Sequence, residues 1–165
     1  MKKLLLLRHA NAAPDNGTGD HERPLTEKGL SDATSVGKFI SENSLNPDLI
    51  LCSSARRTVE TAQQILTAIV PEDTGSIPTL YDRKLYLPPT QVLFDEIQMA
   101  PKNIETLLVI SHNPGVAELA VNLAENDAQK IHSYAEGTLS IFDINADDWY
   151  NITPQSIKFN NVFAP

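Results

Sequence analysis

Two histidines and several arginines follow apolar stretches of this sequence closely enough to form an anion site. Arg8 and His9 come directly after a run of four leucines, Arg57 lies shortly after a second apolar run, and His112 follows a third. Guanidinium groups bind phosphoryl oxygens through paired hydrogen bonds and permanent charge. A neutral imidazole is a nucleophile near pH 7, and a second histidine can stabilise the charge that develops in the transition state. These residue types are therefore suited to phosphoryl chemistry.

Short apolar runs alternate with amphipathic stretches along the first two thirds of the chain. Continuous apolar runs are typical of strands that are buried on both faces, whereas apolar residues at intervals of three and four indicate helices. The patterns predict strands over residues 3–8, 49–53, 79–81, 106–111, 138–144 and 156–162, helices over about 26–42, 55–69, 88–99 and 113–123, and a loop over 71–78.

This alternation predicts an α/β fold, a three-layer α/β/α sandwich with a mostly parallel central sheet. The two segments after residue 130 predict added edge strands near the C-terminus. Because no repeat, low-complexity tract or linker divides the sequence, we expect a single domain over residues 1–165. Ligands of open parallel sheets bind outside the carboxyl ends of the strands, which is where the arginines and histidines lie.

Composition limits the classes of partner. The chain has 165 residues and a formal net charge of -8. Such an acidic protein repels nucleic acid and anionic membranes at long range, so we expect neither as a partner. The apolar run before Arg8 is too short for a secretory signal, and no stretch approaches the roughly 20 apolar residues of a membrane span, so the cytoplasm is the expected compartment. The single cysteine, Cys52, lies in an apolar run and is expected to be a buried thiol.

Several segments together resemble the signature motifs of the histidine phosphatase superfamily, which has the phosphoglycerate mutase-like fold. Arg8-His9-Ala10 resembles its Arg-His-Gly motif, and residues 53–62 resemble its Ser-Pro-x-x-Arg-Ala-x-x-Thr-Ala motif, with Arg57 on the phosphate-binding arginine. Residues 109–113 resemble the motif that carries the second histidine. The segment Arg23-Pro24-Leu25-Thr26-x-x-Gly29 is similar to that of the SixA-type phosphohistidine phosphatases.

The resemblance implies roles for the motif residues. It implies a phosphatase in which His9 takes the phosphoryl group while Arg8, Arg57 and His112 bind it. It also implies a compact α/β/α sandwich, no required metal and no other cofactor. Ala10 replaces the glycine of the first motif; its methyl group adds bulk at the approach to the phosphate, but we expect so small a residue to be tolerated there.

Further residues are candidates for substrate contact or proton transfer. Arg23, Asn11 and Asn113 are candidate substrate-binding residues. Many superfamily members place a glutamate after the third strand to protonate an alcohol leaving group, and Asp82 lies in the matching region of this sequence. Asp82 is either a general acid or a turn residue. His21 lies in the loop beside Arg23 and is expected to be solvated, with contact to the substrate as the alternative.

Three functions remain open at this point. A phosphoramidate N–P bond is labile and its imidazole leaving group is easily protonated, so a site with a weak acid favours phosphohistidine over alkyl phosphates. The leading hypothesis is a protein phosphohistidine phosphatase that acts on a phosphorelay or phosphotransferase protein. The alternative is a small-molecule phosphomonoesterase for sugar, nucleotide or cofactor phosphates, which requires a working acid. The third is a module that binds a phosphorylated partner without turnover.

Overall fold

The computed structural model describes residues 1–69 and 76–165, and within these ranges the chain forms one six-stranded sheet and four α-helices. The strands are β1 (Lys2–Arg8), β2 (Leu49–Ser53), β3 (Thr79–Asp82), β4 (Thr106–Ser111), β5 (Leu139–Ile144) and β6 (Ile157–Phe163). The helices are α1 (Glu27–Glu42), α2 (Arg56–Ile69), α3 (Thr90–Gln98) and α4 (Gly115–Ala124). All the predicted strands and helices are present. The loop predicted over 71–78 lies mostly outside the described residues.

The strand order confirms the predicted fold class. The strands lie side by side in the order β3-β2-β4-β1-β5-β6. The first four are parallel to one another, whereas β5 is antiparallel to β1 and β6 is antiparallel to β5. The four parallel strands therefore form one side of the sheet, with β3 at its edge, and the C-terminal strands β5 and β6 extend the sheet on the other side.

The leucines of β1 show how the three layers are held together. Side chains alternate between the two faces of a strand, so a run of leucines supplies apolar groups to both. Leu5 and Leu7 pack against one pair of helices, and Leu4 and Leu6 against the other pair; all four are fully buried. The helix residues in these two layers include Val36 and Ile40 of α1, Ala62 and Ile65 of α2, Leu93 and Ile97 of α3, and Val116 and Leu119 of α4. Burying each of the Val, Leu and Ile side chains contributes about 1.5–3 kcal/mol.

The loop between β1 and α1 is fastened where the helix begins. Thr26 caps α1 by accepting a hydrogen bond from the Gly29 backbone N–H at 3.0 Å, and its own N–H donates to the Asn11 carbonyl oxygen at 3.0 Å. A Cβ atom on Gly29 would overlap that carbonyl oxygen, so glycine is required here for close approach. The segment from Arg23 to Gly29 therefore fixes the end of the loop against the start of α1.

Two expectations from composition can be compared with the structure. Cys52 is fully buried in β2, as predicted, and burial raises the pKa of its thiol above the usual range. Every helix in the described ranges is too short or too polar to cross a bilayer.

Candidate active site

The carboxyl ends of β1 and β4 place the two histidines beside each other. Arg8 pairs with Ser111 in the parallel ladder, and the His9 backbone N–H donates to the Ser111 carbonyl oxygen at 3.1 Å. His9 directly follows β1 and His112 directly follows β4, and their ring centroids are 5.1 Å apart. A cavity of about 260 Å³ opens beside them, lined by Arg8, His9, Asp20, Arg23, Arg57, Leu87, His112, Asn113 and Glu136.

His9 is held in one tautomer and one charge state. Its Nδ1 lies 2.8 Å from the carbonyl oxygen of Ala10. Because a carbonyl oxygen only accepts, Nδ1 carries the proton and Nε2 keeps its lone pair. Nε of Arg57 donates to this Nε2 at 3.3 Å. Burial, assisted by the positive charges of Arg57 and Arg8 and opposed by the bond to Ala10, lowers the pKa of His9 to about 4. The ring is therefore neutral near pH 7.

Arg57 is a buried cation that is held by one loop residue. It lies in the first turn of α2, where its charge opposes the helix dipole, and only 2% of it is exposed. Its Nη1 donates to the Asp20 backbone carbonyl oxygen at 2.6 Å, and its Nη2 donates to Asp20 Oδ2 at 2.9 Å. Asp20 also accepts from the Tyr86 hydroxyl at 2.6 Å and from Arg23 Nη1 at 2.9 Å. These donors, Tyr86 first, hold the pKa of Asp20 well below its usual range, so its carboxylate stays ionised.

His112 is oriented through the end of β2. Its Nε2 lies 2.7 Å from the hydroxyl oxygen of Ser53, and its Nδ1 is buried with no hydrogen-bond partner among the described residues. Burial, and then the proximity of His9 and Arg57, lowers the pKa of His112 far below its usual range. The ring is therefore neutral, and Nδ1 is the nitrogen left free for a ligand.

Arg8 and Asn113 share one backbone acceptor. Arg8 Nη1 and Asn113 Nδ2 both donate to the Tyr134 carbonyl oxygen, at 3.0 and 2.9 Å. Arg8 Nε and Asn113 Oδ1 are buried and unpartnered within the described ranges. Both side chains line the cavity, and the unused Arg8 Nε–H is a donor available to an anion, whereas Asn113 Oδ1 can only accept a hydrogen bond.

His21 connects the loop between β1 and α1 to the residues just before α2. Its Nε2 lies 3.0 Å from Ser54 Oγ, its Nδ1 lies 2.9 Å from Glu22 Oε1, and its ring packs edge-on against Tyr86. Only 26% of the side chain is exposed, so the expectation that His21 is solvated was wrong. Ser54 stands where the resembled motif has proline, and a proline could not make this contact.

Asn11 and Asp82 are engaged in contacts with other protein groups. Asn11 Nδ2 donates to Glu136 Oε2 at 2.7 Å, and Asn11 Oδ1 accepts from the Thr26 hydroxyl at 2.6 Å. Asn11 thus positions Glu136 and is not one of the cavity residues. The Asp82 carboxylate accepts from the Lys84 backbone N–H at 2.8 Å and caps a short 3₁₀ turn, and Asp82 does not line the cavity either. Its geometry is that of a turn residue.

Ala10 packs in an apolar cluster, whereas Arg23 lines the cavity. The methyl group of Ala10 is fully buried with Leu25 and Ala33, and it is not part of the cavity wall. The methyl group therefore does not obstruct the cavity, because it packs in a small apolar cluster. Arg23 lines the cavity, so its side chain is accessible to a substrate that binds there.

Sequence reasoning missed several residues that shape the cavity. Asp20 lies three residues before Arg23 in a polar loop, and that spacing between opposite charges was the available signal. Ser53 ends a predicted strand but was given no role of its own. Tyr86 and Glu136 lie in segments without a periodic pattern, so nothing in the sequence marked them.

The chemistry of the cavity follows from its charges. Three arginines face two carboxylates and two neutral histidines, so the cavity is locally positive in a chain of net charge -8. This arrangement can neutralise a phosphoryl group and present a nucleophile to it. Among the described residues, no group of three or more His, Cys, Asp or Glu is arranged to hold a metal ion.

Comparison with known proteins identifies a family. The profile of the "Histidine phosphatase superfamily (branch 1)" matches residues 4–81. An uncharacterized protein of Mycobacterium tuberculosis is 34% identical over 119 residues, which cover 72% of this chain and 70% of that protein. A SixA protein of Nakamurella multipartitia, provisionally named a phosphohistidine phosphatase, is 25% identical with a TM-score of 0.86, covering 99% of this chain and 96% of that one. The protein histidine phosphatase SixA complexed with tungstate has the same fold, with 18% identity, a TM-score of 0.79 and coverage of 98% and 96%.

Proposed function

Since this chain belongs to the histidine phosphatase superfamily, we propose that it transfers a phosphoryl group from a phosphohistidine side chain of another protein to His9, and then to water. The observation that carries this proposal is the orientation of His9. Its Nδ1–H is donated to the Ala10 carbonyl oxygen, so the Nε2 lone pair lies beside Arg57. A neutral imidazole held in this tautomer can attack phosphorus without first losing a proton.

The proposed first step forms a bond between His9 Nε2 and phosphorus. The bond between phosphorus and the substrate nitrogen breaks, and the substrate imidazole leaves with the electron pair and takes a proton from solvent. Arg57, whose Nε donates to Nε2 at 3.3 Å, would then donate to a phosphoryl oxygen instead. Arg8 Nε and His112 Nδ1 are both buried and unpartnered among the described residues, and both can donate to phosphoryl oxygens. The neutral His112 ring carries its proton on Nδ1 when the Ser53 hydroxyl donates to Nε2.

The size of the cavity supports a macromolecular substrate. Sites that enclose small molecules usually measure roughly 300–1,000 Å³. The cavity of about 260 Å³ suits a phosphoryl group with an attached ring, while the rest of the substrate stays outside. Leu87 lines the same cavity and is 50% exposed, so an apolar side chain is available to an approaching protein surface. We propose a phosphorelay or phosphotransferase protein as the partner, and neither nucleic acid nor membrane.

Charge supports two further parts of the proposal. The arginines of the cavity supply the positive charge that phosphoryl transfer needs, so we propose that the reaction does not require a metal. An acidic chain favours partners with basic surfaces, because complementary potentials steer association. The cytoplasmic location stays a prediction from the sequence.

A small-molecule phosphomonoesterase is the second candidate. An alkyl phosphate needs a proton donor for its leaving alcohol far more than a phosphoramidate does. The observation that favours this candidate is that the carboxyl group of Glu136 lines the cavity, whereas Asp82, the candidate acid from the sequence, does not. The two functions differ in their substrates, and one assay separates them.

The test compares a phosphohistidine-bearing protein with a panel of alkyl phosphates at neutral pH in the presence of a chelator. We expect wild type to hydrolyse the phosphohistidine faster and His9→Ala to lose the activity. His132→Ala is the matched control, because His132 is exposed and lies outside the cavity. Turnover that persists in His9→Ala contradicts the mechanism. Faster hydrolysis of an alkyl phosphate supports the second candidate, and tight phosphate binding without turnover supports a binding module.

A further inference from the structure

The second half of the proposed reaction needs a proton acceptor. Water that attacks the phosphorus of phospho-His9 loses a proton as the new bond forms, and positioned side chains that take such protons accelerate reactions about 10²–10⁴-fold. In the phosphoenzyme, Nε2 of His9 is bonded to phosphorus and Nδ1 donates to the Ala10 carbonyl oxygen. His9 therefore cannot serve as the base, so a positioned base has to be another group of the cavity.

Asp20 is unsuited to this task although it lines the cavity. Its Oδ1 accepts from Arg23, and its Oδ2 accepts from both Arg57 and Tyr86. Taking up a proton would break charge-assisted hydrogen bonds to two arginines, which are stronger than ordinary ones. Asp82 caps a turn outside the cavity. Neither carboxylate is free to exchange protons with a bound water molecule.

Glu136 is the other carboxylate in the cavity wall, and the fold places it there firmly. The turn from Ala135 to Thr138 closes with a hydrogen bond from Thr138 N–H to the Ala135 carbonyl oxygen at 3.1 Å. Gly137 has a φ of 80°, a conformation that favours glycine. Its backbone N–H donates to the carbonyl oxygens of both Arg8 and His9, at 3.2 and 3.0 Å. The turn is thus docked on the residue that carries the nucleophile.

The side chain of Glu136 is positioned through one oxygen only. The Thr26 hydroxyl donates to Asn11 Oδ1 at 2.6 Å, which orients the amide so that Nδ2 donates to Glu136 Oε2 at 2.7 Å. Among the described residues, Oε1 accepts no hydrogen bond, and no Arg, Lys or His nitrogen lies within 4.0 Å of the carboxylate. Burial lowers the pKa of both Arg8 and His9, and the charge of Glu136 opposes this lowering, so the carboxylate lies close enough to act on both groups.

We infer that Glu136 is the general base that accepts the proton of the water molecule attacking phospho-His9. This inference rests on the proposed function. The water oxygen forms a bond to phosphorus, its proton goes to Glu136 Oε1, and the bond between phosphorus and Nε2 breaks with its electron pair returning to Nε2. Inorganic phosphate leaves, and the carboxyl group returns its proton to solvent. Asn11 and Thr26 are positioning residues for this step.

The test separates the two half-reactions with phosphoramidate, a small compound with a P–N bond, as the probe. Glu136→Gln keeps an oxygen that can accept from Asn11 but cannot take a proton. We expect a rapid release of ammonia stoichiometric with enzyme, within a few-fold of the wild-type rate, followed by steady-state turnover slowed by about 10²-fold or more. Alkali-stable phosphohistidine should accumulate on the variant, and removal of the side chain in Glu136→Ala should be partly rescued by added formate.

Controls keep the outcomes distinct. Glu27→Gln makes the same change of charge at an exposed position on α1 outside the cavity and should behave as wild type. Unchanged turnover without phosphoenzyme in Glu136→Gln overturns the role of Glu136 and leaves the proposed function standing. Equal slowing of the burst and the steady state, or no rescue by formate, also overturns it and indicates a structural role. If wild type releases no ammonia, or His9→Ala does, the proposed function fails and the role of Glu136 fails with it.

Discussion

The neutral ring of His9 should make the folded protein lose stability as the pH falls from 7 to 5. The pKa of His9 is about 4 in the folded chain, against a usual value of 6.5. Between these values the unfolded chain binds the proton and the folded chain does not. Acid therefore favours unfolding, and the free energy of unfolding rises with pH across this window.

The magnitude follows from proton linkage. At pH 7 the imidazole is mostly neutral in both states, so it contributes little. At pH 5 the unfolded imidazole is almost fully protonated while the buried ring is not, and the free energy of unfolding should fall by about 2 kcal/mol from His9 alone. His112, whose pKa is also lowered by burial, adds a loss of the same sign. The lowered pKa of Asp20 matters only below the usual range of an aspartate, near pH 4, so the window from 7 to 5 isolates the histidines.

The assay is urea unfolding in phosphate-free buffer at pH 7, 6 and 5, on wild type and His9→Gln. Glutamine is polar and of similar length but does not titrate, so the difference between the two pH dependences gives the contribution of His9 together with its effect on His112. His132→Gln is the control for the substitution itself, because His132 is exposed and lies outside the cavity. The His9→Gln variant also lacks a ring that lowers the pKa of His112, so the free energy of unfolding of this variant should depend still less on pH.

One result would refute the reasoning. If wild type and His9→Gln lose the same free energy of unfolding between pH 7 and 5, the folded protein takes up the proton on His9 as readily as the unfolded chain does. The claim that burial keeps the His9 ring neutral well below pH 6.5 would then fail, because the folded ring would bind its proton at the usual pKa. The hydrogen bond from Arg57 Nε to Nε2 would be contradicted as well.

Two further substitutions test the supports of the histidines. Arg57→Lys keeps the charge but cannot make the two hydrogen bonds to Asp20 and the one to His9 at the same time. We therefore expect kcat/KM for a phosphohistidine substrate to fall by about 10²-fold or more, with the circular dichroism spectrum unchanged. A loss of less than a few-fold would show that these three hydrogen bonds are not needed together. Ser53→Ala leaves His112 Nε2 buried without its partner, which should cost about 1–3 kcal/mol in urea unfolding; a variant as stable as wild type would show that His112 needs no support there.

The sequence predicts most of the fold because the relevant signals are local or periodic. The leucine run of β1 and the spacing of apolar residues in α1 depend only on which faces are buried. The meeting of His9 and His112 was also predictable, since the carboxyl ends of parallel strands lie at one edge of a sheet. The paired register of Arg8 and Ser111 confirms it.

The parts that sequence reasoning missed depend on contacts between distant segments. Glu136 reaches the cavity because the Gly137 backbone donates to Arg8 and His9, more than a hundred residues earlier in the chain. Asp20 becomes a ligand of Arg57 only when the loop folds over α2. The direction of the Ala10 methyl group is likewise set by the packing of that loop. No motif or periodicity encodes these placements.

The two carboxylates of the cavity are the same chemical group, and they differ in role because their hydrogen-bond donors differ. Asp20 accepts from two arginines and a tyrosine, so each proton it might bind would cost several strong hydrogen bonds. Glu136 accepts from one neutral amide and keeps an oxygen without a protein donor in the described ranges. The first carboxylate is therefore suited to holding cations in place and the second to exchanging protons. An exchange of the two roles would require moving the arginines, because a side chain saturated with cationic donors cannot act as a base near neutral pH.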